Sequence, residues 1–246
     1  MSTSGAILFG RYAFAPNRLG YCGPDENQTL LEYVASGNSD AGLLEIERRF
    51  EGAYPYLCLI AAANEIQDPF DDRVVEAYWI GNSCLERVDA ARFYDSLSAR
   101  FKSRMDGRSF TWLSGKLVLG ARPHHNFHVF DVYMRTGLMN DNRAKIVIET
   151  MDACRVSWGE VVSVDGPELI VARPRLALDE GKLALTDPEV VRVTRQIHGL
   201  GFADQARPGT VVSIHWHWVC EELSVVKRRR LMSATQKYIQ LANQTL

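Results

Sequence analysis

Two stretches decide the fold: CRVSWGEVVSVDG, residues 154–166, and PGTVVSIHWHWVCEEL, residues 208–223. Each carries a β-branched run, Val161 to Val164 in the first and Val211 to Ile214 in the second, of the kind that packs on a pleated surface. The Asp165-Gly166 pair follows the first run and precedes Leu169 to Val171, a strong hairpin signal. Leu183 to Leu185 predicts a further strand, and so does Ile146 to Ile148 upstream. The tail from Leu223 to Leu241 spaces Val226, Leu231, Ala234, Tyr238 and Leu241 near the helical period, so the chain is expected to end in an amphipathic helix.

Toward the N-terminus the period changes. Ala6 to Phe9 is a short apolar run, and Ala15-Pro16-Asn17-Arg18-Leu19-Gly20 reads as a turn. Leu30, Leu31, Val34 and Ala35 share a helical face closed by Gly37, and Leu43, Leu44, Ile46 and Phe50 continue the pattern. Tyr56 to Ala63 is apolar nearly all round, which suits a helix inside a bundle. Asp68 or Asp71 is placed to cap a helix through Ile80 that Gly81-Asn82 stops. Asp89 precedes a last series of Ala90, Phe93, Leu97 and Phe101. Four or five helices are thus expected in the first hundred residues or so. Residues 106–122 are mixed and 135–142 read as a loop. The expectation is an α+β chain: a helical module over 1–120, a His-rich connection over 121–150, and a strand-rich unit with a closing helix over 151–246.

The chain has 246 residues, 46% hydrophobic and 24% charged, with a formal net charge of −2, which fits an ordinary globular protein and no nucleic-acid footprint. Its one basic run, Lys227-Arg228-Arg229-Arg230, reads as a solvated helix face or as a docking patch for an acidic partner. No stretch is long and apolar enough for a membrane span, and the N-terminus lacks a secretory pattern. The five cysteines, 22, 58, 84, 154 and 220, are odd in number and contain no CxxC, so a disulfide framework is not expected and a reducing cytoplasm fits. GxSxG, HExxH, Walker and GxGxxG patterns are absent.

The chemistry-bearing residues are cysteines and histidines. Cys154 offers a soft thiolate and His215 a borderline imidazole, a pairing that suits iron or another transition metal. Pro123-His124-His125-Asn126-Phe127-His128 holds half of the six histidines. On a strand His124 and His128 share a face; on a helix His128 lies beside both His124 and His125. Iron or zinc needs a further ligand, for which His198 and Asp131 are candidates. Cys22, in Gly20-Tyr21-Cys22-Gly23-Pro24, precedes a helix whose N-terminus is expected to lower its thiol pKa, and a folded-back turn would bring it to Cys154. Cys58 and Cys84 read as core.

Cys154, Gly159, Glu160, Val161 and Val162, followed by Pro208-Gly209, Val211 to Ile214, His215, Glu221-Glu222 and Leu223, resemble the HypC/HupF family of small hydrogenase maturation chaperones. The likeness covers roughly residues 152–246. It implies a small OB-like barrel, a cysteine that binds an iron carrying cyanide and carbon monoxide, and delivery to the large subunit of a nickel–iron hydrogenase. This chain differs in placing its cysteine mid-chain, and Trp216-His217-Trp218 stands where the family has a glycine after the histidine strand. A role in hydrogenase maturation is therefore expected, with the large-subunit precursor or other maturation proteins as partners. A metal-dependent enzyme built on His124, His125 and His128 is the alternative, and a metal-free interaction scaffold the third.

Overall fold

In the computed structural model, which describes residues 4–132 and 144–245, helices fill the N-terminal half and strands most of the remainder. Helix α1 (Gly5–Arg18) begins at Ser4, whose side chain accepts from Ile7 N. Twelve of its fourteen residues are buried, which is why no amphipathic stripe announces it in the sequence. Of the turn expected at residues 15–20, residues 15–18 are instead the last turn of this helix, with Pro16 inside it, and only Leu19 and Gly20 form a turn. Helices α2 (Asn27–Ser36), α3 (Ala41–Arg48), α4 (Tyr54–Ala63), α5 (Asp72–Trp79) and α6 (Ala90–Phe101) follow the expected stripes. Gly37 ends α2 in the left-handed region at φ 71°, and Asp71 and Asp89 cap α5 and α6 through their carboxylates. Helix α7 (Gly107–Val118) occupies the segment whose pattern was mixed, and buries Phe110, Leu113 and Leu117.

Next come the three-residue α8 (His125–Phe127), a π turn at His128–Val132, and α9 (Ala144–Cys154). The loop expected over 135–142 lies outside the described residues. The strand expected at 146–148 is helical: Val147, Ile148 and Met151 are buried while Lys145, Ile146 and Glu149 are not, so packing on one face overrides β propensity. Cys154 consequently ends a helix and does not sit on a β segment.

Strands β1 (Ser157–Asp165), β2 (Glu168–Asp179) and β3 (Lys182–Thr194) form an antiparallel meander, with Gly166 at φ 56° in the first turn. β4 (Gln196–Ile197) and β5 (Leu200–Gly201) make a separate small hairpin. β6 (Val211–His215) and β7 (Trp218–Glu222) complete the main sheet in the order β1-β2-β3-β7-β6. β6 pairs back onto β1, so the ladder closes on itself. The chain then runs into α10 (Val225–Asn243). The architecture is α+β.

One buried cluster runs from Ala6 to Ala242 and joins helices to strands; a smaller one, with Val161, Leu169, Val171 and Ile214, fills the strand-rich part. Phe9, Tyr12 and Phe14 of α1 are buried in the larger cluster, each contributing about 1.5–3 kcal/mol. α1 packs against both α5 and the β6–β7 hairpin, which places residues of distant sequence around one cavity.

Candidate metal centre

The ligand atoms of His125, Cys154 and His215 lie within 4.8 Å of one another. Three elements deliver them: the start of α8, the end of α9 and the end of β6. The last carbonyls of a helix lack intrahelical donors. At the end of α9 the site itself supplies them, since Trp216 N donates to Ala153 O at 2.8 Å and His125 Nε2 donates to Cys154 O at 2.8 Å. A network behind α9 fixes that end further. Asp152 accepts from Arg155 Nε at 3.0 Å and from Leu176 N at 2.7 Å, and it pairs with the buried Arg173.

The two imidazoles are held in opposite ways. His215 Nδ1 donates to Tyr12 O at 2.6 Å, so Nε2 carries the lone pair, and Nε2 is buried without a partner. His125 uses both nitrogens: with Nε2–H committed to the Cys154 carbonyl, Nδ1 accepts from the Tyr78 hydroxyl at 3.2 Å. To ligate a metal, His125 must release one of these bonds. The rings of His125 and His215 lie 5.1 Å apart, and Trp79 covers both, at 4.5 and 5.4 Å between centroids.

The three residues open on a cavity of about 150 Å³, which has room for several waters or a small ligand. Its wall also holds Cys22, His128, Tyr78 and Trp216, so five of the seven cysteines and histidines singled out in the sequence meet at one cavity. Asn17 ties down the turn that carries Cys22, through Nδ2 to Cys22 O at 3.0 Å and to Pro24 O at 2.5 Å. Tyr21 stacks on Trp216 at 4.1 Å, closing the turn over the cavity. Cys22 is exposed by surface area, but it lines the cavity and burial pushes its thiol up to about 12, as fits a rim residue whose sulfur faces inward. The expected lowering by a helix N-terminus does not occur, because α2 starts only at Asn27.

Burial dominates the electrostatics. It pushes the Cys154 thiol up to about 12, with Cys22 adding to the effect, and lowers His215 and His128 to about 4. His125 is driven well below its ordinary value by burial first and His215 next. The imidazoles therefore stay neutral and keep the lone pairs a metal needs, while thiolate formation must accompany metal binding.

Two ligands on one tetrahedral ion stand about 3.5 Å apart, so a group spread over 4.8 Å must contract by about 1 Å. The unpartnered His215 Nε2 and the soft thiol beside it fit iron or zinc.

Other candidates lie elsewhere. His124 is the N-cap of α8, accepts from Asn126 N through Nδ1 at 3.0 Å and stacks on Tyr238, so it does not join His125 and His128 in a three-histidine clip. His128 lines the cavity, with Nδ1 3.3 Å from the Tyr56 hydroxyl, but stands outside the close group. Asp131 is buried beside Lys116 at 3.5 Å. His198 is exposed in the β4–β5 turn at φ 52°. Sequence reasoning missed Tyr12, Tyr78 and Trp79, which look like ordinary core positions; Trp216 belongs to the Trp216-His217-Trp218 run that departs from the resembled family, and it does line the cavity.

Among the described residues no helix is long and apolar enough to cross a membrane. No curated protein and no solved structure matches the chain. A family profile does match, over residues 1–246, and the chain belongs to that family, the family of unknown function DUF6390.

Proposed function

We propose that this protein holds one transition-metal ion, iron in the first place and zinc in the second, between His125, Cys154 and His215. We propose further that it serves nickel–iron hydrogenase maturation as an accessory protein. The observation that carries the metal reading is the convergence of one thiol and two neutral imidazoles within 4.8 Å in a covered cavity. The maturation role rests on the resemblance over residues 152–246, in which the closed ladder of β1, β2, β3, β7 and β6 would correspond to an OB-like barrel.

Three protein donors leave at least one coordination position open, an arrangement suited to holding an ion with other small ligands attached. Bound iron would supply a soft centre for such ligands. The chain's own residues do the rest. Tyr12 orients His215, Trp79 and Trp216 exclude water, and Cys154 gives up its proton on loading. The helical half contributes His125, Cys22 and Tyr78 to this cavity, and so joins the site itself. The hydrogenase large-subunit precursor is the proposed partner. An open coordination position beside about 150 Å³ of space also suits a metal-dependent enzyme that activates water, which is the second reading.

Anaerobic reconstitution of untagged protein with ferrous iron, followed by elemental analysis, tests the metal. Near-stoichiometric iron is expected in the wild type and in His198→Ala, with loss in Cys154→Ser and His215→Gln at unchanged circular dichroism. A wild type that retains none sinks the metal reading. Capture of the large-subunit precursor from a hydrogenase-producing host tests the role, and no enrichment over a tag-only control rejects it.

A further inference from the structure

A second cavity, of about 480 Å³, shares no wall residue with the first. Four cations line it: Arg122 and, from α10, Arg229, Arg230 and Lys237. Arg229, Ser233 and Lys237 recur every fourth residue and so form one stripe of the helix. This is where part of the basic run of residues 227–230 points. Arg230 is held by Glu76 at 2.7 Å, and Glu86 is the one acid on the wall. Among the described residues Arg122, Arg229 and Lys237 have no carboxylate within salt-bridge distance. Burial and then the nearby Arg122 lower the pKa of Lys237, and Glu86 opposes them in part.

At the floor lies His124, fully buried. Its Nδ1 accepts from Asn126 N, so the neutral ring carries its proton on Nε2. No partner meets that N–H in full hydrogen-bond geometry, and the Ile80 carbonyl is its one close backbone neighbour, which favours the protonated ring. A buried donor without a partner is destabilising, and an acceptor brought by a ligand relieves that cost. The wall over the ring is Gly81, at φ 96°, where a Cβ would stand 3.7 Å from Nε2. The glycine adds no side chain of its own before this donor, where the small Ala234 Cβ is the other near neighbour.

We propose that this cavity binds the phosphate group of a small molecule, with His124 Nε2–H as the buried donor and Arg122, Arg229 and Lys237 as the cations. The oxygens of a phosphate group accept from such N–H groups in charge-assisted hydrogen bonds. The cavity exceeds a phosphate group in size, and its apolar wall at Leu85 and Ala234 leaves room for an organic body. The proposal is independent of the metal reading, since no residue is shared.

Isothermal titration with inorganic phosphate, adenosine monophosphate and adenosine tests it, on the wild type and on Cys154→Ser, whose metal site is disabled. Saturable binding of the phosphate-bearing probes is expected in both proteins, weakening with salt, with none for adenosine. Arg229→Ala and Lys237→Ala should each weaken binding roughly tenfold, the worth of one charge-assisted hydrogen bond. The His124 Nε2–H resonance should shift and exchange more slowly on addition of phosphate. Tighter binding of the nucleotide than of inorganic phosphate identifies an ester as the ligand, and equal binding identifies the phosphate group alone. No saturable binding of either probe overturns the proposal, as does unchanged affinity in both variants. Binding of an acidic peptide in place of either probe overturns it too.

Discussion

Pro16 leaves the carbonyl of Tyr12 without a helical donor, and His215 supplies one through Nδ1 at 2.6 Å. Proline has no N–H to give to the residue four positions earlier. The break in the α1 ladder thus fixes which nitrogen of a strand histidine carries the proton, and leaves His215 Nε2 free as a ligand.

Pro16→Ala restores a competing backbone N–H. The fold should be as stable as the wild type or more so, while His215 becomes a mixture of tautomers and metal affinity falls several-fold. Nitrogen-15 NMR of the imidazole and metal titration check this together. A single unchanged tautomer with unchanged affinity would show that Pro16 does not orient His215.

Asp152 stands between two buried guanidiniums, Arg155 and Arg173, and accepts Leu176 N as well. Asp152→Ala leaves both cations buried without their carboxylate. Urea unfolding should report a loss of about 3–5 kcal/mol. A loss under about 1 kcal/mol would mean that the network is solvated in solution.

Acid should unfold the protein early. Burial lowers His124 to about 3 and His128 and His215 to about 4, and it depresses His125 as well. Above about pH 6.5 these rings are neutral in both folded and unfolded chains, and the stability is fully present. Below it the unfolded chain takes up protons that the folded chain refuses until its own lower values are reached, so stability falls with pH across that window. Each ring costs about 1.4 kcal/mol per pH unit. Urea midpoints should be flat near neutrality and drop steeply toward about pH 5. His124→Asn, which keeps a capping side chain, should reduce the slope by about one proton.

The β6–β7 turn puts Trp216 and His217 at φ 51° and 60°, where side chains are strained. This two-residue hairpin geometry favours Asn-Gly. His217→Gly should raise stability by about 1 kcal/mol in thermal melts, with metal content unchanged because Trp216 stays stacked on Tyr21. A drop in stability would show that the His217 side chain makes a contact worth more than the strain.

Much of the scaffold was legible. The stripes of α2 to α6, the Gly37 and Gly81 stops and the Asp165-Gly166 hairpin are local signals, because periodicity and turn chemistry are set by neighbours in the chain. α1 and α9 were not legible. α1 is buried nearly all round, and the Ile146-Val147-Ile148 run of α9 carries a β propensity that tertiary packing overrides.

The sequence by itself determined the donor inventory. It placed Cys154 and His215 on the chain, set three histidines within 124–128, and put Cys22 in a glycine-flanked turn. Only the tertiary structure decided which of them meet. The α8 turn sends His125 and His128 into the first cavity and His124 into the second, although His124 and His125 are adjacent. The tautomers were decided there too. The donor for Tyr12 O comes from a strand some two hundred residues away, and the lone pair left on His215 follows from that long-range bond, which no local pattern encodes.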